Sequence, residues 1–215
     1  MKFFLDTAHL DDIREATERG LCDGVTTNPS LLAKEDGDPR EIVREIAKIV
    51  DGPVSAEVIS TETDGMVREG LEWAKLASNI VVKVPMTMDG LKAIRIFSSQ
   101  DVATNCTLIF NAMQALAAAK AGASMVSPFV GRLDDIQSPG MDLVAQIVKV
   151  FKNYGITSEV IVASVRGPMH ALRAAELGAD IATIPWAQIQ AMLRHPLTDS
   201  GLERFLADWE KIRER

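Results

Sequence analysis

Short runs of apolar residues alternate along this chain with longer amphipathic segments. The runs are rich in β-branched residues, as strands buried on both faces are, whereas the longer segments repeat apolar residues at the spacing of a helix face. The clearest helical segments are DPREIVREIAKIV, TDGMVREGLEWAKLA and GMDLVAQIVKVFKNYG. The pattern predicts eight strands: KFFLD, GVTTN, VSAEVI, IVVKVP, ATNCTLI, MVSPFV, EVIVAS and IATIP.

Eight strand-then-helix units predict an α/β fold, a closed parallel (β/α)8 TIM barrel. A doubly wound open sheet is the alternative, but the chain has no Gly-rich dinucleotide turn. Because no linker divides the chain, we expect residues 1–215 to form a single barrel domain. The spacing of apolar residues in 199–213 predicts an additional C-terminal helix with one apolar face. This face would pack against either its own barrel or a neighbouring subunit.

Lys83 stands inside IVVKVP, where a buried ammonium would be costly. Side chains two apart in a strand share a face, and parallel barrels carry their active sites at the carboxyl ends of the strands. Parity and spacing therefore predict one group of side chains at the barrel mouth. Its members are Asp6, Asn28, Glu57, Lys83, Asn105, Thr107, Ser127, Phe129 and Ser164.

The chemistry that suits Lys83 is amine catalysis. Burial favours the neutral amine, which can attack a carbonyl and form a Schiff base while nearby carboxylates move protons. Structural roles remain open for all three residues. Lys83 could simply pair with a buried acid, Glu57 could balance Lys83, and Asp6 could cap a helix starting near Ala8.

Arg132 and Arg166 follow the sixth and seventh predicted strands. Late loops of a barrel often hold phosphate, and arginine binds phosphate in a bidentate manner. The alternative for Arg132 is an ion pair with Asp134 or Asp135. His170 and His195 have no evident partner, and we expect both to be structural.

The amino-acid composition argues against several classes of binding partner. Of the residues, 47% are hydrophobic and 25% charged, which is typical of a globular protein, and the net charge of −7 argues against a nucleic-acid partner. Cys22 and Cys106 form no disulfide framework, and no Cys/His pattern has zinc spacing. The chain also shows no signal peptide and no apolar run that could span a bilayer, so we expect a cytoplasmic protein without membrane or metal partners.

Several motifs, collinear over the whole chain, resemble the transaldolase family in its short microbial branch, which includes fructose-6-phosphate aldolase. They include FLDTA, GVTTNPSL, SAEV, VVKVPMT, NCTLIF, SPFVGRLDD, ASVRGP and TIPWA. The resemblance implies a TIM barrel whose fourth strand carries the Schiff-base lysine, which is Lys83 here. It also implies sugar-phosphate substrates, no cofactor, and a homo-oligomer, a pentamer or decamer, in which the C-terminal helix reaches a neighbour.

The same resemblance implies roles for individual residues. Asp6 is expected to be the acid/base of carbon–carbon cleavage, and Glu57 to position a proton-relaying water with the help of Thr107. The remaining matches are substrate-binding residues. Asn28 and Asn105 are expected to bind dihydroxyacetone hydroxyls, Ser127 and Phe129 to line the site, and Arg132, Ser164 and Arg166 to form the phosphate pocket.

Three positions distinguish the two branches of the family. The aldolases carry Tyr at the position of Phe129 and Gln at that of Glu57, and they lack the Asn found here as Asn105. In all three places this chain resembles a transaldolase. Gly167 is smaller than the residue that relatives often carry there. The sequence therefore predicts a transaldolase, with a fructose-6-phosphate aldolase or a non-catalytic sugar-phosphate-binding protein as alternatives.

Overall fold

The computed structural model describes residues 1–213, in which eight parallel strands close into a barrel in chain order. The strands are β1 (Lys2–Asp6), β2 (Gly24–Thr26), β3 (Val54–Glu57), β4 (Ile80–Pro85), β5 (Thr104–Ile109), β6 (Met125–Pro128), β7 (Glu159–Val162) and β8 (Ile181–Ile184). The helices are α1 (Leu10–Glu18), α2 (Pro29–Leu32), α3 (Pro39–Ile49), α4 (Thr63–Ala74), α5 (Met88–Ser98), α6 (Ala112–Ala121), α7 (Val130–Asp135), α8 (Gly140–Tyr154), α9 (Pro168–Leu177), α10 (Trp186–Leu193) and α11 (Pro196–Arg213).

Closure of the barrel depends on β1, which pairs in parallel with both β2 and β8. The register places Lys2 opposite Ile181 and Leu5 opposite Ile184 on one side, and Asp6 opposite Thr26 on the other. A doubly wound sheet would leave two open edges. The (β/α)8 prediction is therefore confirmed, and the open-sheet alternative is wrong.

Alternation along the strands divides the barrel interior into two layers. Val81 points into an apolar layer near the amino ends of the strands, and Lys83, two residues later, points into the polar layer above it. Val82 and Val84 point outward into the core between barrel and helices. The same step from apolar to polar occurs from Phe4 to Asp6 and from Met125 to Ser127.

Three predicted mouth residues lie beyond the ends of their strands. The apolar pattern places Asn28, Phe129 and Ser164 in strands, but β2 ends at Thr26, β6 at Pro128 and β7 at Val162. Asn28 and Phe129 are the N-cap residues of α2 and α7. Ser164 has a φ of 60°, a left-handed conformation in which an extended strand cannot continue. Helix capping and backbone geometry thus shorten the strands that the apolar pattern predicts.

Helix α11 begins at Pro196, slightly before the predicted residue 199, and none of its residues is buried. Its apolar side chains are more than half exposed, so the alternative in which this face covers its own barrel is wrong. They are Leu197, Leu202, Phe205, Leu206, Trp209 and Ile212. No helix described between residues 1 and 213 is both long enough and apolar enough to cross a membrane.

Candidate active site

A polar cavity of 380 Å³ opens at the carboxyl ends of the strands. Because all eight strands run in the same direction, residues far apart in sequence meet at this end of the barrel. Eight of the eleven predicted site residues line the cavity: Asp6, Asn28, Lys83, Ser127, Phe129, Arg132, Ser164 and Arg166. Four further residues line it that the sequence did not predict: Thr26, Lys34, Ala163 and Thr183.

Lys83 lies at the centre of the site with only 5% of its side chain exposed. Its Nζ is 3.0 Å from a carboxylate oxygen of Glu57 and donates a hydrogen bond of 3.1 Å to the carbonyl of Thr27. The β3–β4 register places Glu57 directly opposite Lys83. Glu57 therefore does neutralise the charge of Lys83. Lys83 also lines the cavity, so the ion pair does not prevent a ligand from reaching the amine.

Asp6 accepts a hydrogen bond of 2.9 Å from the hydroxyl of Thr26. Burial raises the pKa of Asp6 above its ordinary value, although Lys83 and the Thr26 hydrogen bond act in the opposite direction. A capping role for Asp6 is wrong, because α1 begins at Leu10 and its N-cap residue is His9. A carboxyl whose pKa is raised can both accept and return a proton more readily than an ordinary aspartate.

Asn105, on β5, is fully buried, and its side chain contacts residues of β3 and β6. Its side-chain amide donates to the Ser55 hydroxyl at 3.2 Å, and its oxygen accepts from the Ser127 hydroxyl at 2.7 Å. Asn105 therefore orients Ser127, which does line the cavity. Neither Asn105 nor Glu57 is among the lining residues, although both contact residues that are.

Thr107 is buried, and its hydroxyl has no hydrogen-bond partner among residues 1–213. It lies where the β5–β6 register shifts, just before Leu108, whose φ is 60°. Thr107 also lies outside the cavity lining. A buried hydroxyl without a partner is costly, so it is the kind of group that binds an ordered water or a ligand.

The loops after β2 complete one side of the mouth. Asn28 lines the cavity while its side-chain oxygen accepts from the amide of Leu31 at 2.9 Å, capping α2. Proline at the first turn of α2 strengthens this helix start. Lys34 follows α2 and lines the same cavity. Strand parity could not identify Lys34, because it lies in a loop.

The opposite side of the mouth carries the two arginines. The guanidinium of Arg132 lies 5.1 Å from the centroid of the Phe129 ring, a cation–π contact. Arg166 forms an ion pair of 2.8 Å with Asp135. Among residues 1–213 no ion pair joins Arg132 to Asp134 or Asp135, so that alternative is wrong. Both arginines border the cavity with the cationic groups that a phosphate ester requires.

The chain matches one protein family over almost its whole length. The family model described as "Transaldolase/Fructose-6-phosphate aldolase" matches residues 3–215. This chain belongs to the transaldolase/fructose-6-phosphate aldolase family. The resemblance inferred from the motifs is thereby confirmed, and the barrel with its polar mouth is the architecture that it implies.

Close relatives of this family member cover its full length. A probable transaldolase of Desulfotalea psychrophila is 63% identical over 211 residues, covering 98% of this chain and 99% of the relative. Probable transaldolases of Methanococcus maripaludis and Thermodesulfovibrio yellowstonii are 60% and 58% identical over 98% and 100% of both chains. Within the described residues 1–213, no cluster of three His, Cys, Asp or Glu side chains could hold a metal ion.

Proposed function

We propose that this protein is a transaldolase that transfers a dihydroxyacetone unit between sugar phosphates through a Schiff base on Lys83. The observation that carries the proposal is the position of the Lys83 amine, which borders a polar cavity beside the Glu57 carboxylate. The donor would be fructose 6-phosphate or sedoheptulose 7-phosphate. The acceptor would be erythrose 4-phosphate or glyceraldehyde 3-phosphate. The names of the relatives support this reaction.

Schiff-base formation requires a neutral amine and a path for protons. Glu57, at 3.0 Å, is near enough to take a proton from Lys83. The amine then attacks the ketone of the donor, and the carbinolamine loses water once its hydroxyl is protonated. A water held between Glu57 and the unpaired hydroxyl of Thr107 would deliver that proton. The product is an iminium ion on Lys83.

Carbon–carbon cleavage follows from the position of Asp6 in the same cavity. Asp6 takes the proton from the hydroxyl of carbon four, the bond between carbons three and four breaks, and its electrons neutralise the iminium to give an enamine. An aldose phosphate leaves. The enamine then attacks the acceptor aldehyde, which restores the iminium ion and forms an alkoxide that takes the proton from Asp6. Water hydrolyses the iminium ion and frees the product from Lys83.

Substrate binding would be divided between the two sides of the mouth. Asn28 and Asn105, with Ser127, would hold the dihydroxyacetone hydroxyls near Lys83. The phosphate would bind opposite, where Arg132, Ser164 and Arg166 border the cavity. Reaction and recognition would therefore use different strands of one barrel.

Phe129 favours transfer over simple cleavage. Its ring lines the cavity and has no hydroxyl that could deliver a proton to the enamine. The enamine would therefore wait for an aldehyde acceptor rather than release free dihydroxyacetone. A fructose-6-phosphate aldolase activity at the same site is the second candidate, because the family model includes it.

The test is release of glyceraldehyde 3-phosphate from fructose 6-phosphate with and without erythrose 4-phosphate. Steady release only with the acceptor supports the transaldolase, whereas equal release without it indicates an aldolase. Borohydride added with fructose 6-phosphate should attach the substrate covalently to Lys83. Turnover or labelling that persists in Lys83→Ala would contradict the mechanism.

We further propose that the single barrel domain of residues 1–215 assembles as a cytoplasmic homo-oligomer, a pentamer or decamer. The apolar side chains of α11 are exposed along its length. An apolar groove of 540 Å³ lies beside α9 and α10 on the barrel, lined in part by Phe3, Met169, Leu172 and Met192. A neighbour's α11 would cover such a surface, because exposed apolar patches of this kind mark interfaces.

A further inference from the structure

Two segments far apart in sequence carry the arginines of the candidate phosphate pocket. Arg132 lies on α7, and Arg166 lies in the loop between β7 and α9. A phosphate can contact both guanidinium groups only if these segments keep a fixed distance from each other. Interactions that hold α7 against this loop therefore bear directly on phosphate binding.

The backbones of the two segments are in direct contact. The amide of Gly131 donates to the carbonyl of Ser164 at 3.1 Å. A Cβ atom at Gly131 would lie 2.2 Å from that carbonyl, so no larger residue fits there. Ser164 itself is held in the left-handed conformation, which is rare for residues other than glycine and persists only where surrounding contacts enforce it.

His170 connects the same two segments through its side chain. Its Nδ1 accepts a hydrogen bond of 3.2 Å from the backbone amide of Arg166, and its Nε2 lies 2.9 Å from a carboxylate oxygen of Asp134 on α7. Since a backbone amide can only donate, the ring proton belongs on Nε2 and points to Asp134. The imidazole of His170 thus joins Arg166, in the loop after β7, to α7, the helix that carries Arg132.

Asp134 extends this link to a third element. Its second carboxylate oxygen accepts from the amide of Gly140 at 2.9 Å, at the first turn of α8. The carboxylate is therefore fixed at both oxygens, by α8 and by His170. A carboxylate held in this way can orient the imidazole.

The start of α9 explains why a side chain is needed at position 170. The N-cap residue of α9 is Gly167, which has no side chain to cap the helix, and Pro168 follows it without an N–H group. His170, at the third helical position, reaches back past the N-cap residue and accepts a hydrogen bond from the amide of Arg166, one residue before Gly167. The backbone of Arg166 is thereby fixed by α9 itself.

We propose that His170 and Asp134 are positioning residues for the phosphate group of the substrate. This inference rests on the proposed function only in taking the arginine pocket as the phosphate site. Neither residue lines the cavity, so they act through Arg166 and α7 rather than by touching the ligand. Their loss displaces the two guanidinium groups relative to each other and weakens phosphate binding, while Lys83 and Asp6 remain in place.

The test measures binding of inorganic phosphate by calorimetry in the wild type, His170→Ala, Asp134→Ala and the double variant. Each single change should raise the Kd for phosphate about three- to tenfold, as loss of one hydrogen bond would. The double variant should bind no worse than the weaker single variant, because both side chains belong to one link. An unchanged Kd in both single variants would overturn the inference.

Two amide substitutions separate the two hydrogen bonds of the imidazole. His170→Asn places an oxygen where Nδ1 stands and keeps the contact with Arg166, whereas His170→Gln can reach Asp134 but not the Arg166 amide. Partial rescue of phosphate binding by either amide supports positioning. His195→Ala is the matched control, because His195 Nδ1 also accepts a backbone amide, that of Leu197, far from the cavity. An equal loss in His195→Ala would overturn the inference.

A kinetic comparison distinguishes positioning from general loosening of the fold. With glyceraldehyde 3-phosphate as acceptor, the KM should rise in His170→Ala and Asp134→Ala while kcat is retained, and kcat/KM for unphosphorylated glyceraldehyde should not change. Equal losses with both acceptors would contradict the proposal. If the wild type binds phosphate but transfers nothing, the proposed function fails, and the phosphate Kd values still test the link.

Discussion

The Lys83 ammonium nitrogen and the Glu57 carboxylate lie 3.0 Å apart on neighbouring strands, and both side chains are largely enclosed by the barrel. Two charges so placed depend on each other, because either one alone would be buried without a partner. Removing only one partner should therefore destabilise the protein as well as disturb the proposed chemistry.

Glu57→Ala should lower the free energy of unfolding by about 3 kcal/mol, because it leaves the charge of Lys83 buried and unpaired. Urea denaturation followed by circular dichroism measures this loss. The double variant Lys83→Met/Glu57→Gln is the control and should recover most of the stability without recovering activity. If Glu57→Ala were as stable as the wild type, the pair would not be coupled in this way.

Phe129→Tyr should raise acceptor-independent cleavage of fructose 6-phosphate by about tenfold or more, since a positioned proton donor has at least this effect. The new hydroxyl would lie in the cavity beside Arg132, whose guanidinium stacks on the ring. Glyceraldehyde 3-phosphate release without erythrose 4-phosphate measures the change. Phe129→Leu, which removes the ring without adding a hydroxyl, should show no such gain, and a gain there would assign the effect to lost packing.

Arg166→Ala should reduce kcat/KM for phosphorylated acceptors by about 10- to 100-fold, the value of a charge-assisted hydrogen bond pair. Glyceraldehyde, which has no phosphate, should react as before. Asp135→Asn is the companion variant, because the Asp135 carboxylate forms an ion pair of 2.8 Å with the guanidinium of Arg166. Freeing that arginine should lower the KM for phosphorylated acceptors. Parallel losses for glyceraldehyde and its phosphate in Arg166→Ala would argue against a phosphate pocket.

Asp6→Asn should abolish cleavage yet raise the melting temperature at neutral pH. Burial raises the pKa of Asp6 above the ordinary value of 3.8, so the unfolded chain ionises first as the pH rises. Below pH 3.8 the carboxyl is protonated in both the folded and the unfolded chain, so its burial does not lower the free energy of unfolding. Above the folded-state pKa the carboxyl is ionised in both the folded and the unfolded chain, and burying its charge lowers the free energy of unfolding by the full amount. The melting difference between Asp6→Asn and the wild type should therefore be larger at pH 7 than at pH 4.

Removal of residues 196–215 should leave a folded barrel of lower oligomeric order, measured by light scattering coupled to size-exclusion chromatography. Helix α11 buries none of its residues in the chain, so its loss removes no core contact. Phe205→Glu should act in the same direction as the truncation, with Glu210→Gln as the control on an exposed polar position. If the full chain has the mass of a monomer, the proposed assembly is wrong.

Much of this protein is determined by local sequence pattern. Alternation within IVVKVP places Val81 in the apolar layer and Lys83 above it, and the same step recurs from Phe4 to Asp6. Because a two-residue period and a βα repeat are properties of the chain itself, the barrel and the strand-borne part of the site could be predicted. The positions of Arg132 and Arg166 after the sixth and seventh strands then predicted the phosphate pocket.

Only the tertiary structure decided the contacts between loops. Arg166 pairs with Asp135, and Asp134 with His170, although the sequence suggested an acid beside Arg132 and no partner for His170. These pairs join segments that meet only after the barrel has closed and after the chain has turned at Ser164. No sequence periodicity predicts these contacts, because they depend on how far each loop extends beyond its strand.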